Sequence, residues 1–350
     1  MRRYTLVPAR RLWLLVRKEI LVLPSRALVA AFSLGLILLP WFSDDPYLLR
    51  IVILSSIFAI YAASWDLLSG YSGQVSFGHA LFFGVGAYGS ALLNYHLGWT
   101  PWLTIAIGAG LAMAAGLLIG IPCLRLRGSY LSLATLAFPL ILTGILFAVP
   151  DLSGGELGIS GIRPLVRSRV GYYYIAVGAM LAFCFALWKI GDSNTGLILH
   201  AIREDEVAAR ASGINTVRYR LLAFSLSGLG AGFAGALFAH FIRVTGPSTL
   251  EVALSFQAVI WGIFGGVATI YGPVAGVFVL YPLTEAMSLV RQLSEYRLLL
   301  FAVVVLLVLL LMPEGLTPWV RDKIETRCQR CKVRNIFTHA TCRICQAPMH

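Results

Sequence analysis

Charge is scarce in this 350-residue chain: Asp, Glu, Lys and Arg together make up 13% of it, against roughly 25% in an ordinary soluble domain. A water-facing surface cannot be assembled from so few ionised groups, which excludes a soluble globular fold. Lysine is scarcer still, occurring only as Lys18, Lys189, Lys323 and Lys332. No Gly-x-x-x-x-Gly-Lys-Ser/Thr loop occurs, so the chain alone has no usual cradle for ATP phosphates. Within the apolar stretches no constellation of histidines or carboxylates is found, which argues against a membrane enzyme.

Apolar residues, by contrast, make up 58% of the chain, and its mean hydropathy is +0.81. A helix needs about 20 mostly apolar residues to cross a bilayer, because its backbone amides must be satisfied within the segment. The sequence predicts an all-α polytopic membrane protein with about ten transmembrane helices, near 27–42, 49–68, 79–95, 101–122, 129–149, 172–190, 220–242, 254–271, 274–290 and 298–312.

The net charge of +12 could signal nucleic-acid binding, but the placement of the basic residues speaks for the membrane. With a cytoplasmic N-terminus, segments 1–26, 123–128, 189–220 and 313–350 fall inside and carry 21 of the 28 Lys and Arg residues. Arg50, Arg163, Arg167, Arg169, Arg243, Arg291 and Arg297 remain for the outside. This bias follows the positive-inside rule and places both termini on the cytoplasmic side of a plasma membrane. Residues 1–26 read as a basic amphipathic segment on the anionic inner leaflet, with Arg10, Arg11, Arg17, Lys18 and Trp13. No small-residue cleavage site follows them, so a removed signal peptide is not expected.

Five helices before residue 149 would leave the second five inverted, an arrangement many transporters use around a midplane site, although no repeat is visible between the halves. Gly116/Gly120, Gly228/Gly232, Gly262/Gly266 and Gly272/Gly276 are spaced to put small residues on one helical face for close packing. Gly84–Gly89 and Gly230–Gly235 match the dinucleotide pattern GxGxxG but lie inside apolar helices without a preceding strand, so that reading is discarded. Residues 150–171, rich in glycine, read as an external loop that could meet another protein.

The most informative stretch is Gly70-Tyr-Ser-Gly-Gln-Val-Ser-Phe-Gly-His79, where glycines and polar side chains interrupt membrane helix. Irregular backbone at membrane depth is tolerated only when buried in protein or facing a water-filled path. Gly73, Gln74, Ser76 and His79 thereby become candidates for the translocation path; a cytoplasmic turn entering the third span is the alternative. Asp66, His240 and Glu285 stand near span ends as weaker candidates.

The run GYSGQVSFGHALFFGVGAYGSALL closely resembles the signature of the M-type permease of branched-chain amino-acid ABC importers, the LivM family. The resemblance continues through Gly128–Phe138, the loop at 196–224, Trp261–Gly276 and Leu311–Gly315, and so covers residues 27 to 316 as one permease domain. It implies an all-helical subunit paired with a second related permease. Two cytoplasmic ABC ATPases and an external solute-binding protein complete the importer. Leucine, isoleucine and valine, or urea and related amides, are the implied solutes.

The longest hydrophilic stretch between spans, 191–219, contains Ala201-Ile-Arg-Glu-Asp-Glu-Val-Ala-Ala-Arg-Ala-Ser-Gly-Ile-Asn215 and reads as one short helix ending near Gly213. A solvated helix with Glu206/Arg210 pairing would account for the charges but not for the alanines. The segment resembles the coupling helix by which ABC permeases seat on their ATPases, with Ala208, Ala209 and Gly213 as its core. Arg203, Glu204, Asp205 and Glu206 flank it, the glutamate one place earlier than is familiar. A bulky residue at Ala209 or Gly213 is expected to stop transport without preventing membrane insertion.

Beyond the last span, residues 317–350 contain Cys328-x-x-Cys331 and Cys342-x-x-Cys345, a spacing that can place four thiolates around one tetrahedral ion. A zinc-ribbon-like tail is predicted, with a rubredoxin-like iron site second; disulfides are disfavoured by the reducing cytosol. A secondary transporter remains the main alternative of another class, though few intramembrane ionisable groups could couple an ion to transport.

Overall fold

The computed structural model describes residues 24–126, 128–289, 297–328, 331, 334–336 and 345. Residues 1–23 of the predicted basic segment 1–26, and Cys342, lie outside them. Residues 45–316 form one compact unit; residues 1–44 and 317–350 are assigned to another.

In the larger unit the helices are α2 (Pro46–Asp66), α3 (Ala80–Leu97), α4 (Pro101–Cys123), α5 (Ser129–Ala148), the single turn α6 (Pro150–Ser153), α7 (Arg169–Gly191), α8 (Asn194–Glu204), α9 (Glu206–Ala211), α10 (Thr216–Ile242), α11 (Val252–Gly265), α12 (Tyr271–Leu289) and α13 (Arg297–Leu311). The smaller unit contains α1 (Pro24–Phe42), almost all of α14 (Leu316–Ile324), and an antiparallel hairpin of Glu325–Arg327 with Arg334–Ile336.

Helices occupy every predicted span position. Among the described residues five are long and apolar enough to cross a bilayer: Pro46–Tyr71, Pro101–Cys123, Ser129–Ala148, Arg169–Gly191 and Thr216–Ile242. Ala27–Phe42 and Val252–Gly265 are apolar but shorter.

Helix α2 is the core. Pro46 starts it where no amide partner is needed, and Asp45 caps it by accepting from the Tyr47 amide at 3.0 Å. From Val52 to Asp66 every residue is buried, and α7, α10, α11 and α12 pack around it. A helix apolar all round has no solvent face to present, so it ends up enclosed.

Helices α3, α4 and α10 meet backbone to backbone. A side chain at Gly86 would meet the backbone of Gly232, one at Gly235 the carbonyl of Phe83, and one at Gly116 the carbonyl of Phe224. The GxxxG pairs Gly116/Gly120 and Gly228/Gly232 therefore pack as their spacing suggests. The two GxGxxG matches lie in α3 and α10, where Gly84, Gly86, Gly230 and Gly235 all serve close helix contact.

Gly262/Gly266 differs from expectation. The predicted span 254–271 ends at Gly265, because Gly266 takes φ +116° and Ala268 φ +59°, conformations that cannot continue a helix. The chain turns here and restarts at Tyr271, with Gly265 and Gly272 in backbone contact. The 150–171 loop is ordered by pairing of Ile159–Ser160 with Val244–Thr245, which ties it to the end of α10.

Candidate functional site

The segment after α2 does not run on as α-helix. It widens into a π-helical turn, Leu67–Tyr71, and then loses helical structure until α3 begins at Ala80. Serine hydroxyls replace the missing ladder: Ser72 donates to the Leu68 carbonyl at 2.6 Å, Ser69 donates to the Gln74 carbonyl at 3.2 Å and accepts from the Ser76 amide at 3.3 Å. Neighbouring helices supply the rest. The Trp65 indole donates to the Ser76 carbonyl at 2.9 Å, Thr135 accepts from the Phe77 amide at 3.1 Å, and Ser255 accepts from the Ala80 amide at 2.8 Å. Ser132 donates to the Val75 carbonyl at 2.9 Å. This irregular backbone is largely enclosed in protein, with Gly73 and Val75 exposed.

Of the four candidate path residues, Gln74, Ser76 and His79 are buried and Gly73 is exposed. Gln74 donates to Ser72 Oγ at 2.9 Å. His79 Nε2 and Ser64 Oγ lie 2.9 Å apart, and the imidazole packs on Tyr61 with ring centroids 5.0 Å apart. Gln74 Oε1 and His79 Nδ1 have no partner among the described residues. Two polar atoms in this segment are thus desolvated without compensation, a costly arrangement unless something else meets them.

The loop 191–219 forms two helices, not the single one read from the sequence. The break comes at Asp205, whose backbone is extended and whose side chain caps α9 by accepting from the amides of Val207 at 2.8 Å and Ala208 at 3.0 Å. At the other end Gly213, φ +84°, closes α9: its amide donates to the Arg210 carbonyl at 3.0 Å and the Ile214 amide reaches back to the Ala209 carbonyl at 3.2 Å. That pair of bonds is the Schellman stop, and it requires a left-handed residue at this position.

Ala209 is buried under α9 at 5% exposure, whereas Val207 is 66% exposed and Ala208 also faces outward. Glu206 pairs with Arg210 at 2.7 Å and with Arg220 of α10 at 3.3 Å. The Arg220 side chain is nearly buried, so removing Glu206 would leave an uncompensated charge. Here lies the use of a glutamate at this place: it clamps the short helix to α10. Arg203 turns inward, donating from Nη1 to the Gly70 carbonyl at 2.7 Å. Glu204 is exposed. His200 packs against Tyr71 with centroids 4.7 Å apart and the rings tilted; burial and the Arg203 charge hold its pKa below the ordinary histidine value.

The other ionisable candidates are bonded in place. His240 donates from Nδ1 to the Arg163 carbonyl at 2.7 Å, and its Nε2 lies 2.8 Å from Ser90 Oγ and 3.1 Å from Thr104 Oγ1. Asn94 accepts from the Arg163 amide at 2.9 Å. Together they fasten the 150–171 loop to α3, α4 and α10. Glu285 accepts from the Tyr281 hydroxyl at 3.0 Å.

Residues 47–309 match the model of the family described as branched-chain amino acid transport system / permease component. The chain belongs to this family.

The permease is 29% identical over 306 residues to the high-affinity branched-chain amino acid transport system permease protein LivM of Escherichia coli strain K12, covering 79% of this chain and 71% of that protein. It is 27% identical to the corresponding LivH permease of Salmonella typhimurium over 76% of this chain and 92% of that one. It is also 25% identical to the ribose import permease protein RbsC of Escherichia coli over 85% and 94%. No solved structure matches it.

In the tail of the permease, Cys328, Cys331 and Cys345 bring their sulfurs within 4.8 Å of one another, and Cys328 and Cys345 lie 3.5 Å apart. Four thiolates about 2.3 Å from one zinc would stand about 3.8 Å apart, so the three described sulfurs fit a tetrahedral thiolate site. The first Cys pair sits between the strands of the hairpin, which brings both sulfurs to one end.

Sequence reasoning missed Ser64, Thr135, Arg220 and Ser255, and offered no partner for Asp66. Their partners are many residues away, and no local pattern marks them.

Proposed function

We propose that this permease is the translocating subunit of an ABC importer that carries branched-chain amino acids across the prokaryotic plasma membrane by alternating access. A second related permease, two cytoplasmic ATPase subunits and an external solute-binding protein complete the assembly; the chain itself performs no covalent chemistry. The observation that carries the reading is the α8–α9 loop: a capped, Schellman-closed helix with Ala208 and Val207 outward and Ala209 and Glu206 holding it to the transmembrane body. That is a rigid surface for another protein to push.

Ten spans in two five-helix halves of opposite orientation, with both termini in the cytoplasm, agree with the helix positions and with the distribution of arginine and lysine. The translocation path borders the irregular segment 73–79, where Gly73 is exposed and Gln74 and His79 hold unpartnered polar atoms. Relatives named for ribose share the scaffold, so the solute is decided by the pocket and by the binding protein.

The reading is tested by reconstituting the complete importer in liposomes and following labelled leucine, isoleucine, valine, urea and ribose. ATP-dependent uptake of the three branched amino acids supports it. Uptake of urea or ribose alone would reassign the solute, and uptake that persists without the ATPases would make the chain a secondary transporter.

The tail holds zinc through Cys328, Cys331, Cys342 and Cys345 in this reading. Elemental analysis of the purified full-length chain is expected to find one zinc, reduced to background by Cys328→Ser with Cys331→Ser. Iron in its place would indicate a rubredoxin-like centre, and no metal in the unsubstituted chain would overturn the site.

A further inference from the structure

Three breaks in regular structure meet at one place in the larger unit. The first is the π-helical turn Leu67–Tyr71 that ends α2, the second the left-handed turn 266–270 between α11 and α12, and the third the end of α8 in the 194–211 loop. Asp66, at the last residue of α2, is buried at 1% exposure. Its Oδ1 accepts from the Ala268 amide at 2.7 Å, binding the first break to the second. Its Oδ2 has no partner among the described residues. Ala268 stands at φ +59°, a conformation an alanine holds only when its surroundings compel it, and this hydrogen bond is one of those constraints.

The third break is bound to the first by Arg203, whose guanidinium donates to the Gly70 carbonyl at 2.7 Å. Contact here leaves no slack. A side chain at Gly70 would strike the Asp66 carboxylate and lie 2.7 Å from the Ala268 amide; one at Gly73, φ +72°, would press on the stem of Arg203 at 3.1 Å. Tyr71 packs under Gly191 at the end of α7 and against the tilted ring of His200 of α8.

We infer that the turn Leu67–Tyr71 is the junction through which movement of the 194–211 loop reaches both helix breaks, with Arg203 and Asp66 as the positioning residues. The inference rests on the reading of that loop as the ATPase-coupling element. A displacement of α8 acts on the Gly70 carbonyl through Arg203, and the same turn holds the 266–270 backbone through Asp66. Packed helices move as rigid pieces, so displacement concentrates where the helical ladder is already open. Segment 73–79 follows directly from the turn in sequence, and its conformation is therefore set by the same event.

The test uses the complete importer in liposomes, with solute uptake and ATP hydrolysis measured on one preparation. Asp66→Asn keeps the size of the side chain but leaves only a neutral amide oxygen to hold the Ala268 amide. It is expected to leave the ATPase subunits bound and hydrolysing while solute carried per ATP falls about tenfold, within the usual range of coupling between sites. Arg203→Gln should fall similarly, and the double variant should be no worse than the more impaired single one, since both act on one link.

Uptake per ATP at the unsubstituted level in either single variant, or losses that multiply in the double, would overturn the junction. Should Asp66→Asn not be recovered from the membrane, Arg203→Gln decides the matter by the same ratio. Ala209→Leu separates this inference from the reading beneath it. If Ala209→Leu releases the ATPases while Asp66→Asn transports normally, the junction alone is wrong; if Ala209→Leu also couples normally, the loop is not the coupling element.

Discussion

A permease carrying Ala209→Leu is expected to reach the membrane in normal amount and to import no measurable solute. Ala209 faces the body of the protein beneath α9 and is 5% exposed. Three added carbons in such a packed position cost about 1–3 kcal/mol in strain. In a long core helix that would be absorbed, but α9 has only six residues and is not stable on its own in water. It is held by the Asp205 cap, the Glu206 pairs and the Gly213 stop, each a contribution of about 1 kcal/mol. The strain is as large as any one of these fastenings, so the helix lifts or tilts and its outward face no longer presents one shape to a partner.

Gly213→Val should act in the same direction by another route. Space around Gly213 is open, so no clash arises; a β-branched residue forced to φ +84° costs about 1–2 kcal/mol and undoes the Schellman stop. Both variants are checked by membrane-fraction yield, ATPase co-purification and labelled-solute uptake. Full uptake in both, at normal yield, would remove the 191–219 loop from the mechanism.

The second large effect is expected from Gly235→Leu, which should prevent the chain from folding at all. At Gly235 a first side-chain carbon would coincide with the Phe83 carbonyl, and nearby Gly86 is closed off in the same way by Gly232. The obstructing atoms are backbone, so no rotamer change relieves them; α3 and α10 must separate. Separation also exposes the faces of α3 and α10 that meet at Gly86 and Gly232, and the cost exceeds about 5 kcal/mol, the range in which single substitutions abolish a fold. Gly110→Ala and Gly178→Ala serve as controls, since nothing lies within 4 Å of a side chain at either position. Size-exclusion profiles of fluorescently tagged chains in detergent should show a normal peak for the controls and aggregate for Gly235→Leu. A monodisperse Gly235→Leu chain at normal yield would show that the α3–α10 contact is not needed.

Contacts of this kind leave no local mark in the sequence. Spacing marks Gly116/Gly120 and Gly262/Gly266 alike as small pairs on a helical face, yet the first packs on Phe224 while Gly266 terminates α11 at φ +116°. The i,i+4 rule finds Glu206 with Arg210, but Glu206 also meets the nearly buried Arg220 of α10, which that rule does not reach. Asp66 could be flagged as a charge near a span end; its partner Ala268 is 202 residues away and has no side-chain signal to offer.

By itself the sequence determined that this is a polytopic membrane protein, where its apolar helices lie, where the hydrophilic loop and the irregular 70–79 segment fall, and that the tail carries paired cysteines. Each of these is a local property: hydropathy over about 20 residues, the chemistry of a cap, the spacing of two thiols. Only the tertiary structure decided that α2 is the enclosed helix, which glycines touch backbone, and that Arg203, Gly70, Asp66 and Ala268 share one junction. Lipid and protein interior are equally apolar to a span, so hydropathy cannot say which helix is buried by which. The order of packing is written in contacts between small residues far apart in the chain, and those exist only once the helices have met.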